Sequence, residues 1–435
     1  MTPGAPRFPV ERFELPSGLR LVVQPDARWP LVAVRVSYDA GSRYDPPGRA
    51  GLAHLCEHLA FDGAGESRPT FAERIERVGG VARAATTADT LTFSALAPTE
   101  ALAALLDIEA ERMTEPVDRH DDAALATARR VVATELQERS MTRARAVALE
   151  QVHRLLYPAS HPYHRPASGD LAGVRATTAA DVSAFVASRL RPELATMVIA
   201  GDVPADRARS LVARAFESAG SARADAWLAR GSQPTVDADA FVDRDGGDVR
   251  TRHIAAPIGA PQTFIAWIVD GVGRPGWYLA SLLLRAVAAG RSSPMARTLI
   301  AGDGVAQDVR GVLVSMRHAS TLVFTATATA GLDAPRFERA VAGAVERALA
   351  AGLRSEDLDR ARNKALSDHY FALQTLERRA ERCATLADEI GEPQRLDREA
   401  DRYLAPDLEA LTAFAARLRD TTRAMLAFVP RTEAA

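Results

Sequence analysis

A chain whose strand-and-helix order runs once to about residue 220 and then begins again buries its apolar faces as two similar bodies, and this sequence reads that way. In the first pass Phe13-Glu14-Leu15, a Pro-Ser-Gly turn and Leu19-Arg20-Leu21-Val22-Val23 spell a hairpin. Leu31 to Tyr38 is a valine-rich strand. Phe71, Ala72, Ile75 and Val78 have helical spacing that stops at Gly79. Val81 to Ala97 alternates and is rich in threonine, which predicts two strands. Helices follow at about 99–114 and 121–140, then a helix near 178–190, a strand from Thr196 to Ala200 and a helix from Ala205. In the second pass Phe264 to Val269 is the strand and Tyr278 to Ala289 the helix after it. The expected fold is α+β, two homologous halves, each a mainly antiparallel sheet packed with helices. A length of 435 residues also exceeds one ordinary core. Periodicity gives way to Gly, Ser, Pro and Asp over 221–243, so that stretch is the expected linker between domains at 1–220 and 244–435. A two-domain α/β chain without duplication is the competing reading.

The densest chemistry is His54-Leu55-Cys56-Glu57-His58. Residues four apart share a helix face, so both imidazoles address one point, and Glu57 projects towards it as well. Two neutral imidazoles and a neighbouring carboxylate suit a catalytic zinc ion: two ligands and a base for its water. The order is the inverse of the H-E-x-x-H zinc signature. A pair of ordinary histidines on an amphipathic helix is the plainer alternative, but only nine histidines occur in the chain. Such a site needs a third protein ligand. Glu135 continues the apolar stripe Leu125, Ala128, Val132, where a carboxylate is costly unless paired or bound to a cation. The residues alone leave Glu109 and Glu111 open beside it.

This motif, with Glu135 after 76 intervening residues, resembles the insulinase, pitrilysin and mitochondrial processing peptidase family, and within it the zinc-bearing subunit of bacterial heterodimeric members. Ala40-Gly41-Ser42-Arg43-Tyr44-Asp45 and Gly51-Leu52-Ala53 before the motif, Leu59-Ala60-Phe61-Asp62-Gly63 after it, and Gly79-Gly80 ahead of the threonine-rich strand carry the likeness further. The resemblance implies one Zn2+ per chain on His54, His58 and Glu135, with Glu57 as base. It implies a zinc metalloendopeptidase hydrolysing peptides or unfolded segments inside an enclosed chamber, or else a non-catalytic assembly subunit. Substrate would lie along an edge at Arg83, Ala84, Ala85 and Thr86, where members read Asn-Ala-x-Thr, so Arg83 departs from the pattern. The glutamate that members often carry seven residues before the third ligand is Ala128 here.

The second half lacks the motif: Ser281, Leu284 and Arg285 stand where His54, Glu57 and His58 do. An arginine and a tyrosine that the family uses to hold substrate and oxyanion fall at Ile300 and Gln307, and Arg297 or Arg310 would need another register. The resemblance therefore implies a heterodimer with a homologous chain that lacks H-x-x-E-H and supplies the Arg/Tyr pair.

Other features narrow the field. The formal charge of −2 gives no electrostatic case for nucleic acid or an anionic membrane, and no apolar run is long enough to span a bilayer. No signal peptide is visible in Met1 to Val10, so a cytoplasmic location is expected, or a periplasmic one if a leader has been removed. Two cysteines imply no disulfide framework, and Cys56 is expected to be a packed side chain. His161-Pro162-Tyr163-His164 reads as a structural loop ahead of Gly169. His120, His153, His253, His318 and His369 are expected singly on the surface. Neither a phosphate loop nor G-x-S-x-G occurs.

Overall fold

The computed structural model describes residues 7–62, 69–114, 122–142, 144–216, 247–350 and 352–431; the expected linker at 221–243 and His120 lie outside them. The chain forms two compact units. One gathers the described residues of Met1–Leu136, Arg165–Thr235 and Phe371–Arg398, and the other those of Gln137–His164, Val236–Tyr370 and Glu399–Ala435. Each unit thus receives one segment from the part of the chain that mainly builds the other, which no local periodicity announces.

The first unit holds a six-stranded sheet of β1 (Glu11–Glu14), β2 (Arg20–Pro25), β3 (Leu31–Tyr38), β4 (Val81–Thr86), β5 (Leu91–Pro98) and β6 (Ala195–Gly201), in the order β1-β2-β6-β3-β5-β4. All pairings are antiparallel except β2 with β6. Alternation along β3 sends Val32, Val34 and Val36 to one face and Ala33 to the other. The first face packs on the helices Leu52–Asp62 and Leu102–Thr114. The second is covered by the segment from the far end of the chain, where Leu376, Ala380, Cys383 and Ala387 meet Val22, Val198 and Ala200. That face also carries polar groups. Asp388 accepts from three of them, Ser37 at 2.5 Å, Thr196 at 2.6 Å and Arg20 at 2.8 Å.

The second unit holds β7 (Val249–Ala256), β8 (Gln262–Asp270), β9 (Ala306–Val314), β10 (Ala319–Ala328) and β11 (Arg423–Pro430) in the order β7-β11-β8-β10-β9, with only β7 and β11 parallel. The expected α+β architecture, two mainly antiparallel sheets packed with helices, is what forms. The helix Pro275–Ala288 buries Leu282, Leu283, Ala286 and Val287 against this sheet's core. The helix Ala144–Leu156 packs on β7, β8 and β11, and Arg250 caps its end by donating to the carbonyls of Leu155 at 3.0 Å and Leu156 at 3.1 Å.

This placement corrects the expectation that the single histidines are surface groups. His153 is half-buried with Nε2 3.2 Å from the Thr321 hydroxyl, His318 is half-buried beside Tyr163, and His369 is buried. His253 alone among those described is exposed, 2.7 Å from Glu338. His161 is buried in the structural role expected of its loop: its Nδ1 accepts from the Tyr163 N–H at 3.0 Å and its ring stacks on Tyr157. No helix among the described residues is long and apolar enough to cross a membrane.

Candidate metal centre

The motif helix, Leu52–Asp62, is set by its two faces. Leu52, Ala53, Leu55, Cys56 and Leu59 are buried in the core, which leaves His54, Glu57 and His58 half-buried on the opposite stripe. Cys56 has the packed position expected of it, and burial pushes its thiol well above the usual range. At the helix start, the buried Asp45 carboxylate accepts from the N–H groups of Gly51 at 2.7 Å and Ala53 at 2.9 Å. Burial outweighs those bonds and raises Asp45 to about 6.

The two imidazole rings lie 5.0 Å apart, and each is held from behind. His54 Nδ1 is 3.2 Å from the Ser168 carbonyl, and His58 Nδ1 is 2.9 Å from Asp62 Oδ2. A carbonyl oxygen only accepts, so His54 carries its proton on Nδ1 and presents the lone pair of Nε2. Both Nε2 atoms face Glu135, at 3.5 Å from Oε2 for His54 and 3.6 Å from Oε1 for His58. One ligand atom from each of the three residues lies within 4.8 Å of the others, and no second group of this kind occurs among the described residues. Burial lowers the His54 pKa, with the charge of Glu57 opposing it and His58 adding to it. At His58 burial also pulls downward, but Asp62, Glu135 and Glu57 outweigh it and the pKa is raised.

Two nitrogens and a half-exposed carboxylate, with the outer nitrogens already bonded, match the donor set of a zinc site with one open position. Glu135 sits at the end of its stripe on the helix Asp122–Thr142: Leu125, Ala128 and Val132 are buried, and Glu135 emerges next to the histidines. The acids left open beside it are engaged elsewhere. Glu109 is buried against Arg112, whose Nε is 3.0 Å away, and Glu111 pairs with Arg74 at 2.6 Å.

Glu57 has its own support, since the Thr86 hydroxyl donates to its Oε2 at 2.5 Å. Thr86 ends β4, an edge strand of the sheet. The pleat puts Ala82, Ala84 and Thr86 half-buried on one side and Val81, Arg83 and Ala85 exposed on the other. Arg83 and Thr86 therefore do not share a face, and Thr86 addresses the motif helix.

A backbone approach brings Ser168 to His54. Gly51 and Gly169 have φ of +103° and +80°, and a Cβ on Gly169 would fall 2.3 Å from the Gly51 Cα. Sequence reasoning overlooked Asp62 although it stands four residues after His58, the same spacing that exposed the histidines. For Thr86 the resemblance implies contact with substrate only. A main-chain carbonyl such as that of Ser168 leaves no side-chain signature.

On the corresponding helix of the second unit, Arg285 donates to the Ser281 carbonyl at 2.8 Å and hydroxyl at 2.7 Å and pairs with Asp368. This face carries an ion pair where the first carries the candidate ligands. Ile300 and Gln307 are exposed. Of the two arginines considered as replacements, Arg297 donates to the Ser292 carbonyl at 3.1 Å and Arg310 pairs with Asp308 at 2.7 Å.

Comparison with known proteins gives the family to which the chain belongs. Residues 20–166 match the family described as Insulinase (Peptidase family M16), and residues 176–365 match the Peptidase M16 inactive domain. A Helicobacter pylori protein named zinc protease PqqE is 28% identical over 214 residues, 48% of this chain and 47% of that protein. The beta subunit of the mitochondrial-processing peptidase of Saccharomyces cerevisiae is 26% identical over 189 residues, 43% of this chain and 40% of its own length. The chain thus spans about half the length of these curated relatives, 47% and 40%. The crystal structure of a protease from Helicobacter pylori superimposes with a TM-score of 0.84 at 21% identity, covering 96% of this chain and 99% of that one. Matched by two family domains along most of its length, the chain belongs to the insulinase (peptidase M16) family.

Proposed function

We propose that this chain is a zinc metalloendopeptidase that cleaves peptides or unfolded segments within an enclosed chamber. The observation that carries the reading is the convergence of His54 Nε2, His58 Nε2 and a Glu135 oxygen within 4.8 Å, with Glu57 on the same helix face as the histidines. When bound, zinc supplies a Lewis acid for the scissile carbonyl and lowers the pKa of a coordinated water. Glu57 is the base. Thr86 fixes its Oε2, so Oε1 takes the proton of the attacking water and passes it to the leaving amine. The free edge of β4 suits an extended peptide gripped through its backbone.

With Ile300 and Gln307 at the positions of the expected Arg/Tyr pair, the working enzyme is a heterodimer whose homologous partner lacks H-x-x-E-H and supplies that pair. Loss of a single oxyanion donor costs roughly 10²–10³ in rate, so the chain by itself is a poor peptidase. The test uses zinc-loaded wild type and Glu57→Gln, each alone and with a homologue from a neighbouring gene, on a fluorescent peptide library, with zinc followed by elemental analysis. Wild type with partner should cleave, wild type alone should fall at least roughly a hundredfold short, and Glu57→Gln should keep zinc without turnover. Full activity of the lone chain removes the heterodimer, and activity in zinc-loaded Glu57→Gln removes the role of Glu57. Zinc binding with no cleavage in any combination means an assembly subunit.

A further inference from the structure

We infer that Asp62 is a positioning residue of the metal centre, holding His58 so that its Nε2 addresses the ion. The inference rests on the zinc reading above. Asp62 is the last described residue of the motif helix and lies one turn beyond His58, with its Oδ2 2.9 Å from Nδ1. A spacing of four puts both side chains on the open stripe of the helix, so the Asp62 carboxylate meets the His58 ring on the side away from Glu135. An Nδ1–H donated to a carboxylate fixes the tautomer, turns the Nε2 lone pair outward and makes the ring a stronger donor to a cation.

The two imidazoles are thus held differently. His54 leans on a main-chain carbonyl that no substitution removes, while His58 depends on one side chain. The position seven residues before Glu135 offers the site no carboxylate, since it is Ala128, buried with Leu125 and Val132. Outer hydrogen-bond partners of metal-bound histidines typically account for about 10–100-fold in metal affinity, and the half-exposed Asp62 belongs towards the lower end.

The experiment measures zinc affinity by competition with a chromogenic chelator for wild type, Asp62→Asn, Asp62→Ala and, as a control, His54→Ala. Thermal unfolding of each metal-free protein is recorded alongside. Asp62→Ala should bind zinc at least about tenfold more weakly than wild type, and Asp62→Asn, which keeps an acceptor, should lie between them. Metal-free unfolding should coincide for wild type and both Asp62 variants. An Asp62→Ala affinity within about twofold of wild type would overturn the inference, as would equal losses in Asp62→Asn and Asp62→Ala. A wild type whose zinc uptake is no better than that of His54→Ala overturns the zinc reading itself, and this inference with it.

Discussion

At Glu57 a single hydroxyl decides which carboxylate oxygen is free. Thr86 donates to Oε2, and valine would fill nearly the same space without that donor. Thr86→Val should therefore leave zinc content unchanged and lower kcat/KM about tenfold, corresponding to roughly 1.4 kcal/mol for one charge-assisted bond. Thr86→Ser should recover most of the rate. Wild-type turnover in Thr86→Val would show that the contact is incidental. At this scale His54 and His58 were legible because a spacing of four is itself a statement about direction. Thr86 was legible as a position but not as a partner, since neither the period of a strand nor that of a helix says how the two are turned towards each other. Ser168 contributes only a carbonyl, which the sequence spells the same way at every residue.

Elements with a strong period were read well, and elements whose surroundings come from far away were not. The valine-rich strand has the expected bounds, Leu31–Tyr38, because valine recurs at every second position from Val32 to Val36 and that face is buried in the core. The stripe Leu125, Ala128, Val132 is buried as its spacing implies. The helix Ala144–Leu156 packs on the second sheet, so His153, expected on the surface, lies half-buried there. Burial, with His161 adding to it against a backbone contact from Tyr163, holds His153 at about 4. Burial, reinforced by His318 and His164, does the same for His161. Both pKa values lie below the unfolded value of about 6.5, so between roughly pH 4 and 6.5 the unfolded chain binds more protons than the folded one. Stability from these groups is complete above about pH 6.5 and is lost as the pH falls towards 4, on the order of 3 kcal/mol for one such histidine. The stability difference between wild type and His153→Gln should accordingly shrink as the pH is lowered through that window, followed by denaturant unfolding at each pH. Parallel curves for the two proteins would refute the assignment.

For the molecule as a whole, duplication was legible and exchange was not. Repeated strand-and-helix order is a property of neighbouring residues, whereas the docking of 371–398 on the first sheet depends on residues more than 170 positions away along the chain. The consequence is that neither stretch of sequence suffices for its own sheet. Residues 1–220 alone would leave Val22, Ala33, Val198 and Ala200 without the apolar cover of Leu376, Ala380 and Ala387, and Arg20, Ser37 and Thr196 without Asp388. Residues 244–435 alone would lack Ala144–Leu156 against β7, β8 and β11, and with it the carbonyls that Arg250 binds. An apolar sheet face left open to water drives association or a loosely packed state that binds hydrophobic dyes. The two fragments expressed separately should each be insoluble or bind such a dye and melt without a cooperative transition. Co-expressed, they should copurify as a one-to-one complex with a cooperative melt and the zinc content of the intact chain. A fragment 1–220 that unfolds as cooperatively by itself as the intact chain would show that the exchanged segment is dispensable to the sheet it covers.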